Sequence, residues 1–69
     1  MDAKKLGRKI KLARVEADLT QTELATRIHT KQKSISRYET GVSVPTIDTL
    51  MKIAGALKKS PAYFLEHVG

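Results

Sequence analysis

Gln32, Lys33, Ser36, Arg37 and Thr40 are the side chains of this sequence whose types and spacing suggest a task. They recur at helical intervals around Ile35 and Tyr38, two apolar positions three apart, so they lie on the other faces of one short helix. Amide, hydroxyl and cationic groups arranged in this way donate hydrogen bonds and attract anions. They do not break bonds. No nucleophile stands with a base, so an enzyme is not expected, and neither is a cofactor. The sequence has no cysteine, which removes thiolate chemistry and disulfides. His29 and His67 are isolated and do not make a metal site.

The charge supports an anionic partner. The net charge is +6, and it is unevenly spread. Residues 1–40 hold 10 basic and 5 acidic side chains, and residues 41–69 hold 3 and 2. A basic N-terminal half suits a polyanion, most often nucleic acid. A solvated lysine-rich surface has the same composition, and charge alone does not separate the two. No apolar run approaches the ~18 residues of a membrane span. The basic start MDAKKLGRKIKLAR lacks the apolar stretch of a signal peptide, so a cytoplasmic location is expected.

Five elements must position these groups, all of them helical; no alternating β-branched run occurs. A chain of 69 residues predicts one small domain. The first helix is expected over residues 3–17, with Asp2 as its N-cap and Leu6, Ile10, Ala13 and Ala17 as its apolar stripe. The second begins at Thr20, where TQTE is a capping box: Thr20 caps, and Glu23 reaches back. Leu24, Ala25 and Ile28 are its buried face. The third covers residues 32–40 and stops at Gly41. Thr46 caps the fourth, whose stripe is Ile47, Leu50, Ile53, Ala54 and Leu57. Gly55 is unfavourable there by ~1 kcal/mol relative to Ala. The last helix is short, with Ser60 as cap, Pro61 at its first position, and Phe64 and Leu65 turned inward. The expected core is Leu6, Ile10, Ala13, Leu24, Ala25, Ile28, Ile35, Leu50, Ile53, Leu57, Phe64 and Leu65, with Tyr38 at its edge.

Helices two and three are each about eight residues long and are joined by about three. Helices that short cross steeply, as in a helix-turn-helix. Ala25 lies where they pass closest, and Ile28 and Ile35 lock them from below. The turn needs a residue with positive φ, and it offers His29.

The pieces LGRKIKLAR, LTQTELATRI, KSISRYETG, VPTIDTLMKIAGAL and SPAYFL resemble the lambda-repressor-like (Xre/Cro-type) helix-turn-helix family over nearly the whole chain. The joint pattern of Gln21, Glu23, Leu24, Ala25, Ile35, Glu39, Gly41, Pro45, Leu50 and Leu57 carries the resemblance. It implies an all-α, five-helix bundle in which the third helix enters the major groove of double-stranded DNA. Gln32 then matches a base-reading position, suited to adenine N6/N7, and Arg37, one turn on, suits guanine. Lys33 reaches a base or a phosphate, and Ser36 a base edge or a phosphate. Thr20 and Gln21, at the positive end of the second helix, match a phosphate site; Gln21 alternatively only supports the cap. Thr40 and the backbone of Gly41–Ser43 match a second phosphate clamp. Arg14 and Glu39 match an ion pair between the first and third helices. Lys4, Lys5, Arg8, Lys9 and Lys11 are read as a solvated face that steers at long range. The implied function is a sequence-specific transcriptional regulator, a repressor, binding a palindromic operator as a homodimer. Tyr63 and Val68, in the C-terminal region, are the expected dimer contacts.

Three positions depart from the family. His29 stands where Gly is common, Thr30 where an aliphatic is common, and Lys31 where a Ser or Thr caps. Thr30 is then expected to cap one residue early, freeing Lys31 for a phosphate. His29 either fills the corner or contacts a phosphate when its imidazole is protonated. Val42–Val44 lacks the basic residues often found in that loop. A different class of function also fits: a protein-interaction module whose partner covers a patch of Leu12, Val15, Tyr63 and Val68.

Overall fold

The computed structural model describes residues 2–65. Among them five helices follow one another, with no strand: α1 (Ala3–Glu16), α2 (Gln21–Arg27), α3 (Gln32–Thr40), α4 (Ile47–Ala56) and α5 (Pro61–Leu65). The fold is therefore the all-α bundle that the apolar spacing predicts. The starts are held by the expected caps. Asp2 accepts from the Lys4 and Lys5 N–H groups at 3.0 and 3.1 Å. Thr20 and Glu23 complete the capping box reciprocally, at 3.0 and 2.9 Å. Thr46 accepts from the Thr49 N–H at 3.1 Å.

The helix ends share one device. At the close of α1, α2, α3 and α4 a single residue turns left-handed: Asp18 (φ 59°), His29 (φ 59°), Gly41 (φ 80°) and Lys58 (φ 57°). In each case the next amide folds back on a carbonyl five residues earlier: Leu19 on Arg14, Thr30 on Ala25, Val42 on Arg37, Lys59 on Ala54, at 2.9–3.2 Å. This 6→1 bond, with a companion from the left-handed residue's own amide to the carbonyl three residues before it, satisfies the last carbonyls of each helix. Only Gly41 does so without Cβ strain.

The core holds Leu6, Ile10, Ala13, Leu24, Ala25, Ile28, Ile35, Leu50, Ile53, Leu57 and Phe64, as the stripes predict, with Tyr38 packed at its edge. Leu19 and Ala54 join it. Leu19 follows the left-handed Asp18, and the turn rather than any periodicity points it inward. One expected core member, Leu65, is outside, and so are two stripe positions, Ala17 and Ile47. Ala17 is exposed, because α1 has already ended at Glu16. Ile47 is 62% exposed: it begins α4 at the edge of the stripe, beside the exposed Met51. Leu65 is 39% exposed at the end of the short α5.

Gly7 sets how closely α1 and α3 approach. A Cβ there would lie 2.6 Å from the Glu39 carbonyl oxygen and nearer still to that of Tyr38. That close crossing brings Arg14, two turns further along α1, onto the Glu39 side chain.

Candidate nucleic-acid interface

Arg14 and Glu39 are buried together between α1 and α3. The guanidinium grips the carboxylate with two donors, Nε to Oε2 at 2.6 Å and Nη2 to Oε1 at 3.1 Å. Its third donor, Nη1, reaches the Leu19 carbonyl at 2.6 Å. A forked pair of this kind fixes orientation as well as distance. Every buried side-chain nitrogen and oxygen among the described residues has a partner.

The carboxylate also organises α2. Gln21 Nε2 donates to Glu39 Oε1 at 3.0 Å, and Gln32 Nε2 donates to Gln21 Oε1 at 2.6 Å. One chain of hydrogen bonds thus runs Arg14–Glu39–Gln21–Gln32, from the buried α1/α3 crossing to the exposed first residue of α3. The amide of Gln21 is committed at both ends. What it leaves for an anion at this helix end is its backbone N–H, in the unpaired first turn. This relay is absent from sequence reasoning. The only signal for it is that two long amides begin adjacent short helices.

Along α3, Gln32, Lys33 and Arg37 are exposed and Ser36 is half-buried. Lys31, just before them, is exposed and serves as N-cap by its backbone alone, with no side-chain hydrogen bond. Thr30 therefore does not cap the helix one residue early. Its N–H is spent closing α2 on the Ala25 carbonyl at 2.9 Å. Thr40 Oγ1 donates back to the Ser36 carbonyl at 3.0 Å. The amides of Gly41, Val42 and Ser43 turn onto the carbonyls of Tyr38 and Arg37 at 3.0–3.2 Å. The expected backbone clamp at residues 41–43 is thus occupied in closing α3, which leaves the Ser43 hydroxyl; the Thr40 hydroxyl reaches a phosphate only by turning its proton away from the Ser36 carbonyl. Thr20 is exposed, with its oxygen accepting from the Glu23 N–H.

Among the described residues, two carboxyls at helix starts are held below their ordinary range. The Thr20 backbone N–H and then its hydroxyl hold the Glu23 carboxyl below the usual glutamate range. The Lys5 amide, in the same way, holds Asp2 below the usual aspartate range.

The remaining expected residues lie elsewhere. Tyr63 is half-buried: its ring meets Phe64 edge-on at 5.1 Å and has the Lys9 and Lys59 ammonium groups 5.0 and 4.8 Å from its centre. Val68 lies outside the described residues. Leu12 and Val15 share a shallow depression on α1 with Arg8 and Lys11, and Tyr63 does not line it. No helix among the described residues is long and apolar enough to cross a membrane.

Comparison with known proteins places this geometry. A helix-turn-helix family model matches residues 10–64. Multiprotein-bridging factor 1 of Candida albicans is 42% identical over 52 residues, which are 75% of this chain and 34% of that protein. The HTH-type transcriptional regulator ImmR of Bacillus subtilis is 35% identical over 60 residues, 87% of this chain and 47% of that one. The chain thus spans half or less of the length of these curated relatives. A crystal structure of SinR, a master regulator of biofilm formation, in complex with DNA superposes with a TM-score of 0.84 at 27% identity, covering 88% of this chain and 98% of that one.

Proposed function

The chain belongs to the lambda-repressor-like (Xre/Cro-type) helix-turn-helix family, and we propose that it is a sequence-specific DNA-binding transcriptional regulator that lays α3 in the major groove. The observation that carries this reading is the relay from Arg14 to Gln32. Gln32 has two amide protons and one carbonyl oxygen. One proton is held by Gln21. The other proton and the oxygen form a donor–acceptor pair that suits adenine N7 and N6. Arg37, one turn further along, suits guanine O6/N7, with Lys33 and Ser36 on bases or phosphates beside them. Thr20, the Gln21 backbone, Lys31, Thr40 and Ser43 flank this set and suit phosphates, which position the helix but do not read sequence.

The protein acts as a homodimer on a palindromic operator with half-sites about 10 bp apart, so that two copies of α3 meet one face of the duplex. Tyr63 and Val68 contribute to the dimer contact. A protein seated in the groove denies it to others, and repression is its simplest action. Its location is cytoplasmic.

Gel shifts over a salt series test the reading. Each phosphate neutralised contributes about −0.9 to the slope of log affinity against log salt. Wild type should show a steep slope, and Lys31→Ala should flatten it by about one unit per half-site. A flat wild-type slope would remove DNA as the partner.

A further inference from the structure

A second surface shares no residue with the set assigned to DNA. Between the C-terminal corner of α2 and the outer side of α4 lies a groove of about 490 Å³, lined by Arg27, Ile28, His29, Lys52, Gly55 and Ala56. Its titratable side chains are all bases. None of the three forms an ion pair; among the described residues that pairing is confined to Arg14 and Glu39. The nearest acids along the helices are Glu23, one turn before Arg27, and Asp48, one turn before Lys52. Glu23 is hydrogen-bonded into the capping box, and its attraction to Arg27 is a smaller effect that leaves the guanidinium without a direct ion pair.

Gly55 is the second observation. It sits inside α4, where glycine is the least favourable residue after proline. The fold does not require it: a Cβ at Gly55 would meet nothing within 4 Å, in contrast to Gly7. A bare position beside Ala56 and the edge of Ile28 lets another backbone come close.

We propose that this groove docks an acidic amphipathic helix of a partner protein. Carboxylates on its flanks meet Arg27, His29 and Lys52, and small apolar side chains settle on Ile28, Gly55 and Ala56. This is the helix-in-groove mode of recognition, with charge setting the partner. A second copy of this chain is a poor occupant, because its own charge is +6. Duplex DNA would satisfy Arg27 and Lys52 and leave the apolar floor unused.

A fluorescein-labelled helical peptide of Glu, Ala and Leu, about 15 residues long so that the helix forms, is the probe. Anisotropy and amide shift mapping give the readouts, and a peptide with Gln for every Glu is the control. The acidic peptide should bind and shift the Ile28, Gly55 and Ala56 amides, and the Gln peptide should bind about tenfold more weakly. Gly55→Ala should melt at a higher temperature than wild type and still lose peptide affinity several-fold. Arg27→Glu with Lys52→Glu should abolish peptide binding. Gel-shift affinity for DNA should be unchanged in Gly55→Ala. Equal binding of the two peptides, undiminished binding by Gly55→Ala, or shifts confined to Gln32, Lys33 and Arg37 would overturn the proposal. So would a random duplex that shifts the Gly55 and Ala56 amides as the peptide does.

Discussion

Glu39 serves two neighbours at once, and its loss should be felt in both. Removing one member of a buried ion pair leaves the other charge unpartnered, at a cost of about 3–5 kcal/mol. Glu39→Ala strands the Arg14 guanidinium and releases Gln21. At about 0.05–0.15 kcal/mol per residue a domain of this size has roughly 3–10 kcal/mol of stability to lose, so urea unfolding should begin at far lower denaturant than in wild type. An unchanged midpoint would show that the pair contributes little. His29 is a different case. Among the described residues, Asp18, His29 and Lys58 are the non-glycine residues that do this backbone work. The left-handed conformation costs His29 roughly 1 kcal/mol, and glycine would remove that cost while adding about as much unfolded-state entropy. His29→Gly should therefore change stability by well under 1 kcal/mol, and the pH dependence of DNA affinity should match wild type. A flattened pH slope in the variant would make the imidazole a phosphate contact after all.

The helix termini explain which parts of the fold were legible in the sequence. TQTE, Asp2, Thr46 and Gly41 announce boundaries because their side chains, or the absence of one, bond the backbone within three residues. Asp18 and Lys58 give no such notice: a left-handed residue other than glycine leaves no mark in composition. Lys31 was legible as a departure, but not how it is accommodated. Thr30 was the expected substitute cap, and its amide proves to be used by the end of α2. The Arg14–Glu39 pairing was legible only through the resemblance, and the Gln21–Gln32 bridge not at all, because the distance between two helix starts is set by tertiary packing. At this scale the capping box makes an acid prediction. The Glu23 carboxyl is held below its usual range, so the folded state binds fewer protons than the unfolded state as pH falls. The stabilisation is present above the ordinary glutamate range and is lost as pH drops through the lowered value. Glu23→Gln keeps an acceptor for the Thr20 amide but carries no charge. It should be less stable than wild type near neutrality and equal to it in acid. A stability gap that persists unchanged into strong acid would contradict this.

At the scale of the molecule, charge and relay divide the labour. The basic excess lies over residues 1–40, the half that contains α3, and the hydrogen-bond chain from Arg14 ends on Gln32, the exposed first residue of that helix. The groove between α2 and α4 leaves the other side open to a partner of opposite charge. In the proposed function Gln32 and Arg37 read bases, and selection of bound sites from random DNA measures whether they do. Wild type should recover a palindrome. Gln32→Ala and Arg37→Ala should each relax preference at its own position in both half-sites, by about 1–3 kcal/mol of discrimination. A palindrome whose half-site preferences survive both substitutions would show that neither side chain reads a base.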